Sequence, residues 1–460
     1  MIPCRGVGAG YHAAVGAVNT SGARRLHRAL ARLLGTDRFH VALWTGDVIE
    51  GGAPPAFTLA LRSRHALDVL VGGLPERAFG RAYVTGELEI DPLEPFLERV
   101  ARTPAWSVAT GWPRVVAAAI ALGARPGRGT PGDAEAHLRG LRHSRARDAA
   151  AVRHHYDLPP EFYALFLDRT MTYSCAYFED EDVDLDTAQR AKLDLVCRKL
   201  RLRADERLLD VGCGWGSLVL HAVREYGVRA VGITLSPRQL EVARRSAAEA
   251  GLQHRAEFRL LDYRDIAGER FDAIASVGMI EHVGRDQLRE YARSLQRALR
   301  PGGRALVHGI TCRPQARLNR ASFINTFVFP DGELEDAGRV VRELEFAGLE
   351  VRDVESLREH YALTLQHWRR RLDQHWDDAV RLAGERRARV WRLYMTGSIV
   401  GFRLGSIAIH QTLAVRPTET GGSGVPLLRS DWYRDGRRRR QASPARARTQ
   451  AAPREPAATH

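Results

Sequence analysis

The chain predicts an α/β protein, a seven-stranded, doubly wound Rossmann-like domain preceded by a smaller mixed α/β domain. Three observations carry this. The strand pattern Leu208-Leu209-Asp210-Val211 runs into the turn Gly212-Cys213-Gly214-Trp215-Gly216, and helical periodicity over 218–226 follows at once. That order places a nucleotide-like ligand at the carboxyl edge of a parallel sheet, because glycines let backbone N–H groups approach where a Cβ would collide. Strand and helix patterns then alternate over 156–416, as in a sheet covered on both faces. A break rich in Gly, Pro and Arg at 123–132 separates this half from mixed strands and helices over 56–100.

Taken in order, residues 1–20 read as an untethered start, and a basic amphipathic helix is expected over 23–34. The first domain is bounded at 21–122, a linker at 123–145, the main domain at 146–416 and a disordered basic tail at 417–460, with four arginines at 437–440. The apolar stretch 112–122 is too short to cross a membrane and reads as a helix packed on protein. In the main domain Leu193, Val196, Cys197 and Leu200 form a helical stripe. A strand at 229–234 ends in Thr234. Ser236-Pro237-Arg238-Gln239 combines a capping box with proline at the first helical position, and Gly251 closes a helix of roughly 237–250. Strands follow at 271–277, after the Pro301-Gly302-Gly303 turn at 304–307, and near 349–356 and 407–415.

The 460 residues allow two or three domains. The net charge is +14, and arginine supplies nearly all the positive charge, because Lys192 and Lys199 are the only lysines. That bias reflects genome composition before function. A basic surface still draws anionic partners, nucleic acid or an anionic leaflet. No zinc finger or aromatic RNA-binding motif is present, so nucleic acid is not expected. The five cysteines, at 4, 175, 197, 213 and 312, are odd in number and scattered, which indicates neither disulfides nor a metal site. No secretory pattern and no apolar run of spanning length is found, and a reduced cytoplasm fits.

The glycine spacing separates cofactors. A dinucleotide fingerprint is G-x-G-x-x-G with an acid about 20 residues on. Here the pattern is G-x-G-x-G after Asp210, and the next strand ends in Thr234 without an acid. This resembles the first motif of the class I S-adenosylmethionine-dependent methyltransferases. By itself the turn leaves open a ligand-free glycine-rich loop. Further segments narrow it: His155-Tyr156-Asp157-Leu158, Tyr173-Ser174-Cys175-Ala176-Tyr177-Phe178, Ser276-Val277-Gly278-Met279-Ile280-Glu281-His282-Val283-Gly284 and Val307-His308-Gly309-Ile310. In this order they resemble the cyclopropane-fatty-acyl-phospholipid synthases and the related mycolic acid cyclopropane synthases, over roughly 150–416. Phe79-Gly80-Arg81-Ala82-Tyr83-Val84-Thr85-Gly86 resembles, more weakly, the N-terminal domain of the phospholipid enzymes, which the mycolic acid enzymes lack.

The resemblance implies S-adenosylmethionine as cofactor. Tyr173 and Ser174 would face its methionine end, and Asp210, Gly212, Gly214 and Gly216 would form the turn. Thr234 and Gln239 would lie near the ribose, Asp262 and Tyr263 near the adenine. Gln239 has a competing use in the capping box. The implied reaction starts from a cis double bond in an acyl chain, whose π electrons attack the sulfonium methyl. Loss of a proton from the added methyl then closes a cyclopropane ring. A bound bicarbonate is implied as base, held by Cys175, Glu281, His308 and Tyr361 with the Ile310 backbone. Read alone, Cys175 is a small buried hydrophobe and His308 a structural residue, and His282 is expected only to pack. A carbocation needs aromatic faces, which attract charge without capturing it. Tyr173, Tyr177, Phe323, Phe327, Tyr361, Trp391 and Tyr394 are the candidates.

The implied substrate is unsaturated phospholipid in a membrane leaflet. The protein would be cytoplasmic and peripherally bound to the inner face, with the first domain lipid-associating and a homodimer possible. One departure stands out. Where many family members carry a late-helix cysteine, this chain has Ser398. An alkene attacking a sulfonium needs no enzyme nucleophile, so activity is expected to survive, but the product class stays open between ring and methylene branch. A non-catalytic lipid-binding protein on a degenerate fold is the remaining alternative.

Overall fold

The computed structural model describes residues 20–433, apart from 74, 126–133, 157, 267, 315, 317–318 and 320–321. Residues 1–19, most of the glycine-rich break at 123–132, Asp157 and the arginines at 437–440 lie outside the described residues.

The first described element is the helix Thr20–Leu34, which buries Leu26, Leu33 and Leu34 and leaves Arg24, Arg25, Arg28 and Arg32 exposed. Strands β1 (Phe39–Ala42), β2 (Val48–Ile49), β3 (Phe57–Leu61) and β4 (Leu88–Asp91) form a small sheet in the order β2-β1-β3-β4. Along β3, Phe57, Leu59 and Leu61 point into the core and alternate with half-buried residues, the period of a one-sided sheet. Strands β1 and β2 are too short to show that period in the sequence. Helix Ala105–Ala121 contains the apolar stretch expected to pack on protein, and it buries Val115, Ala118 and Ala119.

The main sheet holds β5 (Arg207–Val211), β6 (Arg229–Thr234), β7 (Ala256–Leu260), β8 (Phe271–Val277), β9 (Leu299–Cys312), β10 (Glu350–Ser356) and β11 (Ile407–Val415). Their order is β10-β11-β9-β8-β5-β6-β7. Strands β5 to β9 pair in parallel, and β11 runs antiparallel to both β9 and β10. The glycine turn at 301–303 lies within β9, where the register against β8 shifts between Phe271 and Ala273. From β5 the chain winds outward to β6 and β7, then crosses back to β8 and β9. The carboxyl ends of β5 and β8 therefore meet at the switch point where such sheets bind ligands.

Three helices between β10 and β11, Arg358–Gln374, Trp376–Ala383 and Glu385–Arg403, build a cap over that edge with Arg145–Tyr156 and Pro160–Ala164. The small N-terminal domain docks on the cap. Arg389 donates to Glu89 and to the Tyr83 carbonyl, and Arg403 pairs with Glu94. At Gly80 an added Cβ would come within 2.6 Å of the Phe323 ring, so only glycine permits this contact. One apolar core runs across the junction, from Phe39, Leu59 and Phe96 to Phe162, Trp368 and Trp391.

Candidate active site

The site divides into a polar cleft and, beside it, a buried cluster of packed aromatic rings, the chamber. The cleft starts where β5 ends. Gly212, Gly214 and Gly216 all take left-handed φ values, +81°, +53° and +90°. They do different work. A Cβ on Gly214 would meet nothing within 4 Å, so this residue borders open cleft. On Gly212 a Cβ would strike Met279 Sδ at 2.5 Å, and on Gly216 the Phe258 ring at 2.8 Å. Gly216 is the residue before the helix Ser217–Tyr226 and does not line the cleft, although the sequence reading grouped it with the ligand-facing glycines. Gly278, after β8, has φ +71° and faces the cleft with open space at its Cβ position.

Nine of the ten predicted cofactor residues line this cleft: Tyr173, Ser174, Asp210, Gly212, Gly214, Thr234, Gln239, Asp262 and Tyr263. Thr234 Oγ1 donates to Gln239 Oε1 at 2.7 Å and accepts from Ser236 N–H. Ser236 caps the helix Pro237–Glu249 by accepting from Gln239 N–H. The reciprocal half of the predicted capping box does not form, because the Gln239 side chain turns to Thr234 instead. Asp262 is also engaged. Burial opposes its ionisation, but hydrogen bonds from Arg264 outweigh this and hold its carboxyl below the usual range. Arg264 reaches on to Asp148, which lines the cleft as well.

Two charged groups of opposite sign are sunk into the floor. Asp210 is 2 % exposed, and its Oδ1 has no partner among the described residues. Burial pushes its carboxyl up to about 7, against the pull of Lys192. Lys192, also 2 % exposed, comes from the helix Leu185–Lys199 and donates to Ser174 Oγ at 2.8 Å. The sequence reading did not select Lys192. Its signal was available: both lysines of this arginine-dominated chain are buried, Lys199 against Asp353 and Glu355. A lysine kept where composition favours arginine marks a position that needs a compact, strippable point charge. His282, expected only to pack, lines the cleft too, and burial lowers it to about 4, making it a neutral imidazole.

The chamber lies beyond Tyr173, under the cap. Tyr173 stacks on Trp368 at 5.1 Å between ring centroids and lies 5.8 Å from Trp391 and 5.6 Å from His155. Its hydroxyl approaches that of Tyr394 at 3.4 Å. Tyr156, Tyr163 and Trp215 close the side toward the cleft. Of the seven aromatic candidates, Tyr173, Tyr361, Trp391 and Tyr394 belong to this cluster. Phe323 and Phe327 stack on each other, with Phe323 against Gly80 at the domain junction, and Tyr177 lies on His360. Trp368, Trp215, Tyr163 and Phe329 were not singled out, because nothing local distinguishes them from core aromatics.

The four catalytic candidates do not line the polar cleft; Cys175, His308 and Tyr361 are buried and Glu281 is half-buried, with Tyr361 and Glu281 at the chamber. Glu281 Oε1 accepts from Ile310 N–H at 2.7 Å, while Oε2 is buried without a partner among the described residues. Burial raises its carboxyl to about 7, partly offset by that hydrogen bond. Tyr361 packs on Phe402 and Trp368 and lies within electrostatic reach of Cys175 and Glu281. Cys175 is fully buried, its thiol near the carbonyls of Ala176 and Leu357, and burial drives its pKa up, so it is no thiolate nucleophile. His308, two residues before Ile310 on β9, shares that residue's sheet face. Its Nδ1 meets Gln411 Nε2 at 3.3 Å, its Nε2 has no partner among the described residues, and burial lowers its pKa. Its contact is thus with Gln411, which the sequence reading missed.

The features fit the cofactor: two glycines whose Cβ positions open on the cleft, and a buried carboxylate oxygen that nothing among the described residues satisfies. A native fold rarely leaves such an atom unmatched, at about 1–3 kcal/mol each.

Comparison with known proteins agrees. The mycolic acid cyclopropane synthetase family matches residues 143–412. A probable fatty acid methyltransferase of Pseudomonas putida is 39% identical over 398 residues, covering 85% of this chain and 95% of its own length. The structure of the cyclopropane synthase MmaA2 from Mycobacterium tuberculosis is similar with a TM-score of 0.56 at 35% identity, covering 59% of this chain and 98% of that one. That of the mycolic acid cyclopropane synthase CmaA1, complexed with SAH and CTAB, gives a TM-score of 0.55 at 36% identity, covering 58% and 97%. The chain belongs to the mycolic acid cyclopropane synthetase family, and it is an S-adenosylmethionine-dependent C-methyltransferase that modifies lipids.

Proposed function

We propose that this enzyme acts on the cis double bond of unsaturated acyl chains in membrane phospholipids and forms a cyclopropane ring. The observation that carries the reading is the aromatic chamber beside the cleft, with Glu281 within electrostatic reach of Tyr156, Tyr361 and Tyr394 and its Oε2 buried without a partner among the described residues. When bound, S-adenosylmethionine supplies an electrophilic methyl group. Tyr173, Ser174, Asp210, Gly212, Gly214, Thr234, Gln239, Asp262 and Tyr263 would hold it. Trp368, Trp391, Tyr394 and Tyr173 present faces that favour positive charge on the acyl chain and offer no nucleophile. They also exclude water, which would capture such a cation.

Ring closure requires a proton to leave the added carbon. Glu281 and His308 have the right types for this. A carboxylate near neutrality can accept or orient a proton, and an uncharged imidazole can hold an anion through one N–H. Bicarbonate would fit between Glu281, His308, Cys175, Tyr361 and the Ile310 amide, where it would supply the base. A second reading, a methylene-branched product, is favoured by the P. putida relative, whose name is that of a fatty acid methyltransferase. Both would lose a proton from the added carbon; the branch differs in a 1,2-hydride shift that first moves the cation onto the carbon bearing it.

Access to such a substrate makes the protein a peripheral one, working from the cytoplasm on the inner leaflet. No helix of the described residues is long and apolar enough to cross a membrane. Each arginine near an anionic surface would add about 1 kcal/mol of attraction. The test is mass spectrometry of phospholipids from bacteria expressing the chain, before and after catalytic hydrogenation. A gain of one CH₂ per unsaturated chain that resists hydrogenation supports the ring. A gain that takes up hydrogen supports the branch, and no gain overturns the lipid substrate.

A further inference from the structure

We propose that Lys192 binds the α-carboxylate of S-adenosylmethionine, so that the amino-acid end of the cofactor lies between two buried charges of opposite sign, Lys192 and Asp210. The proposal rests on the cofactor assignment above and names a contact that the glycine turn does not supply.

Lys192 lines the cleft with Ser174, Asp210 and Gly212, at the end where Tyr173 and the chamber begin. Its ammonium carries three N–H donors. It makes a single hydrogen bond, to Ser174 Oγ, and no carboxylate of the described residues comes within ion-pair distance. Lys199, on the same helix, shows the contrast: it is equally buried and meets Glu355 and Asp353 directly. A buried ammonium without a counter-ion is costly, and structures resolve that cost by pairing or by losing the proton. Burial indeed lowers Lys192 to about 8, with Asp168, Cys175 and Asp210 acting in the other direction. Asp168, whose carboxylate accepts from Thr170 and Thr172, acts on Lys192 only from beyond ion-pair distance.

The bound cofactor ends in an α-amino acid, one carboxylate and one ammonium on the same carbon. Asp210, with a free oxygen, suits the ammonium. The carboxylate then needs a cation or several donors, and Lys192 with the Ser174 hydroxyl is the cationic pair on that wall. The Lys192–Ser174 hydrogen bond places both groups to share one carboxylate. Arg264, the other cation lining the cleft, is committed to Asp262 and Asp148.

The test is a cycle between protein and ligand, run by calorimetry on the full chain. The ligands are S-adenosylmethionine, decarboxylated S-adenosylmethionine, which lacks only the α-carboxylate, and 5′-methylthioadenosine, which lacks the whole amino-acid end. In wild type, removing the carboxylate should weaken binding about 10- to 100-fold, as expected for a charge-assisted hydrogen bond. In Lys192→Met the same removal should cost little, and 5′-methylthioadenosine should bind as in wild type. Lys192→Gln, which keeps a donor, should fall between. An unchanged carboxylate effect in Lys192→Met overturns the proposal. So does equal weakening of all three ligands by both variants, which marks a purely structural lysine. Wild type that binds none of the ligands would overturn the cofactor assignment instead.

Discussion

The cleft and the chamber lie side by side at the carboxyl edge of one sheet, yet they are built in opposite ways. The cleft is assembled from short runs at 210–215, 217–218, 233–235, 261–264, 277–279 and 282–283, with two of its glycines open to it at their Cβ positions. The chamber is assembled from single side chains that the cap brings together, Tyr173, Trp368, Trp391 and Tyr394 among them. A backbone site tolerates side-chain change but not the loss of a glycine. A side-chain chamber tolerates backbone change but depends on each buried polar atom having its task. Substitutions in the two regions should therefore fail in different currencies, affinity or stability in the first and turnover in the second.

The largest expected effect is in the chamber. Glu281→Gln keeps the shape and the room for the Ile310 contact but removes the carboxylate. Turnover should fall by about 10²- to 10⁴-fold, the usual span for a general acid or base, with cofactor affinity unchanged. Radiolabel transfer from S-adenosylmethionine into unsaturated phospholipid vesicles measures the first, and calorimetry the second. Equal losses in both would move Glu281 from the chamber's chemistry to the cleft's architecture.

The glycines split the cleft itself. Gly216→Val should destabilise the fold by roughly 2–5 kcal/mol, from left-handed strain and the clash with Phe258. Gly214→Val should melt closer to wild type, because its side chain enters open space, but should lose cofactor binding. Paired thermal melts and titrations decide this, and a Gly214 variant with intact affinity would remove the turn from the ligand's path.

The next effect is a pH dependence. The Glu281 carboxyl sits above its unfolded value of 4.5, at about 7, because it is buried. Its contribution to stability is therefore fully present below pH 4.5 and is lost as pH rises through about 7. Over that window wild type should lose roughly 2–4 kcal/mol relative to Glu281→Gln, measured by denaturant unfolding without cofactor. Parallel curves for the two proteins would show that Glu281 is ionised at no unusual cost.

The smallest effect is at Ser398. It is half-buried on the helix Glu385–Arg403, next to exposed Gly397, and no hydrogen bond of its hydroxyl is found among the described residues. Ser398→Ala should leave turnover within about twofold of wild type, as at other sites lacking a named interaction. A dead but folded and cofactor-binding variant would assign that hydroxyl a place in the reaction.

How much was legible follows the same division. The strand, glycine turn and helix at 207–226 could be read because one continuous segment builds them, and the strands at 229–234 and 271–277 followed from their apolar runs. Strand β7 was not read, since Ala256–Leu260 alternates with Glu257 and Arg259 and carries little hydrophobic signal. Strands β1 and β2 escaped for their length. In the site, Gly214 and Gly216 looked alike in sequence, and only their neighbours in space, nothing for one and Phe258 for the other, separate them. Gln411 was invisible because its role comes from antiparallel pairing with His308, 103 residues away in sequence.

Helix Glu385–Arg403 has a consequence for how the parts work together. One side contributes Trp391 and Tyr394 to the chamber wall, and the other anchors the N-terminal domain through Arg389 and Arg403. With one apolar core continuous through the junction, the helix behaves as a shared beam rather than a hinge. A displacement of the N-terminal domain would therefore bear directly on the aromatic rings of the chamber, through this one helix and the core it shares.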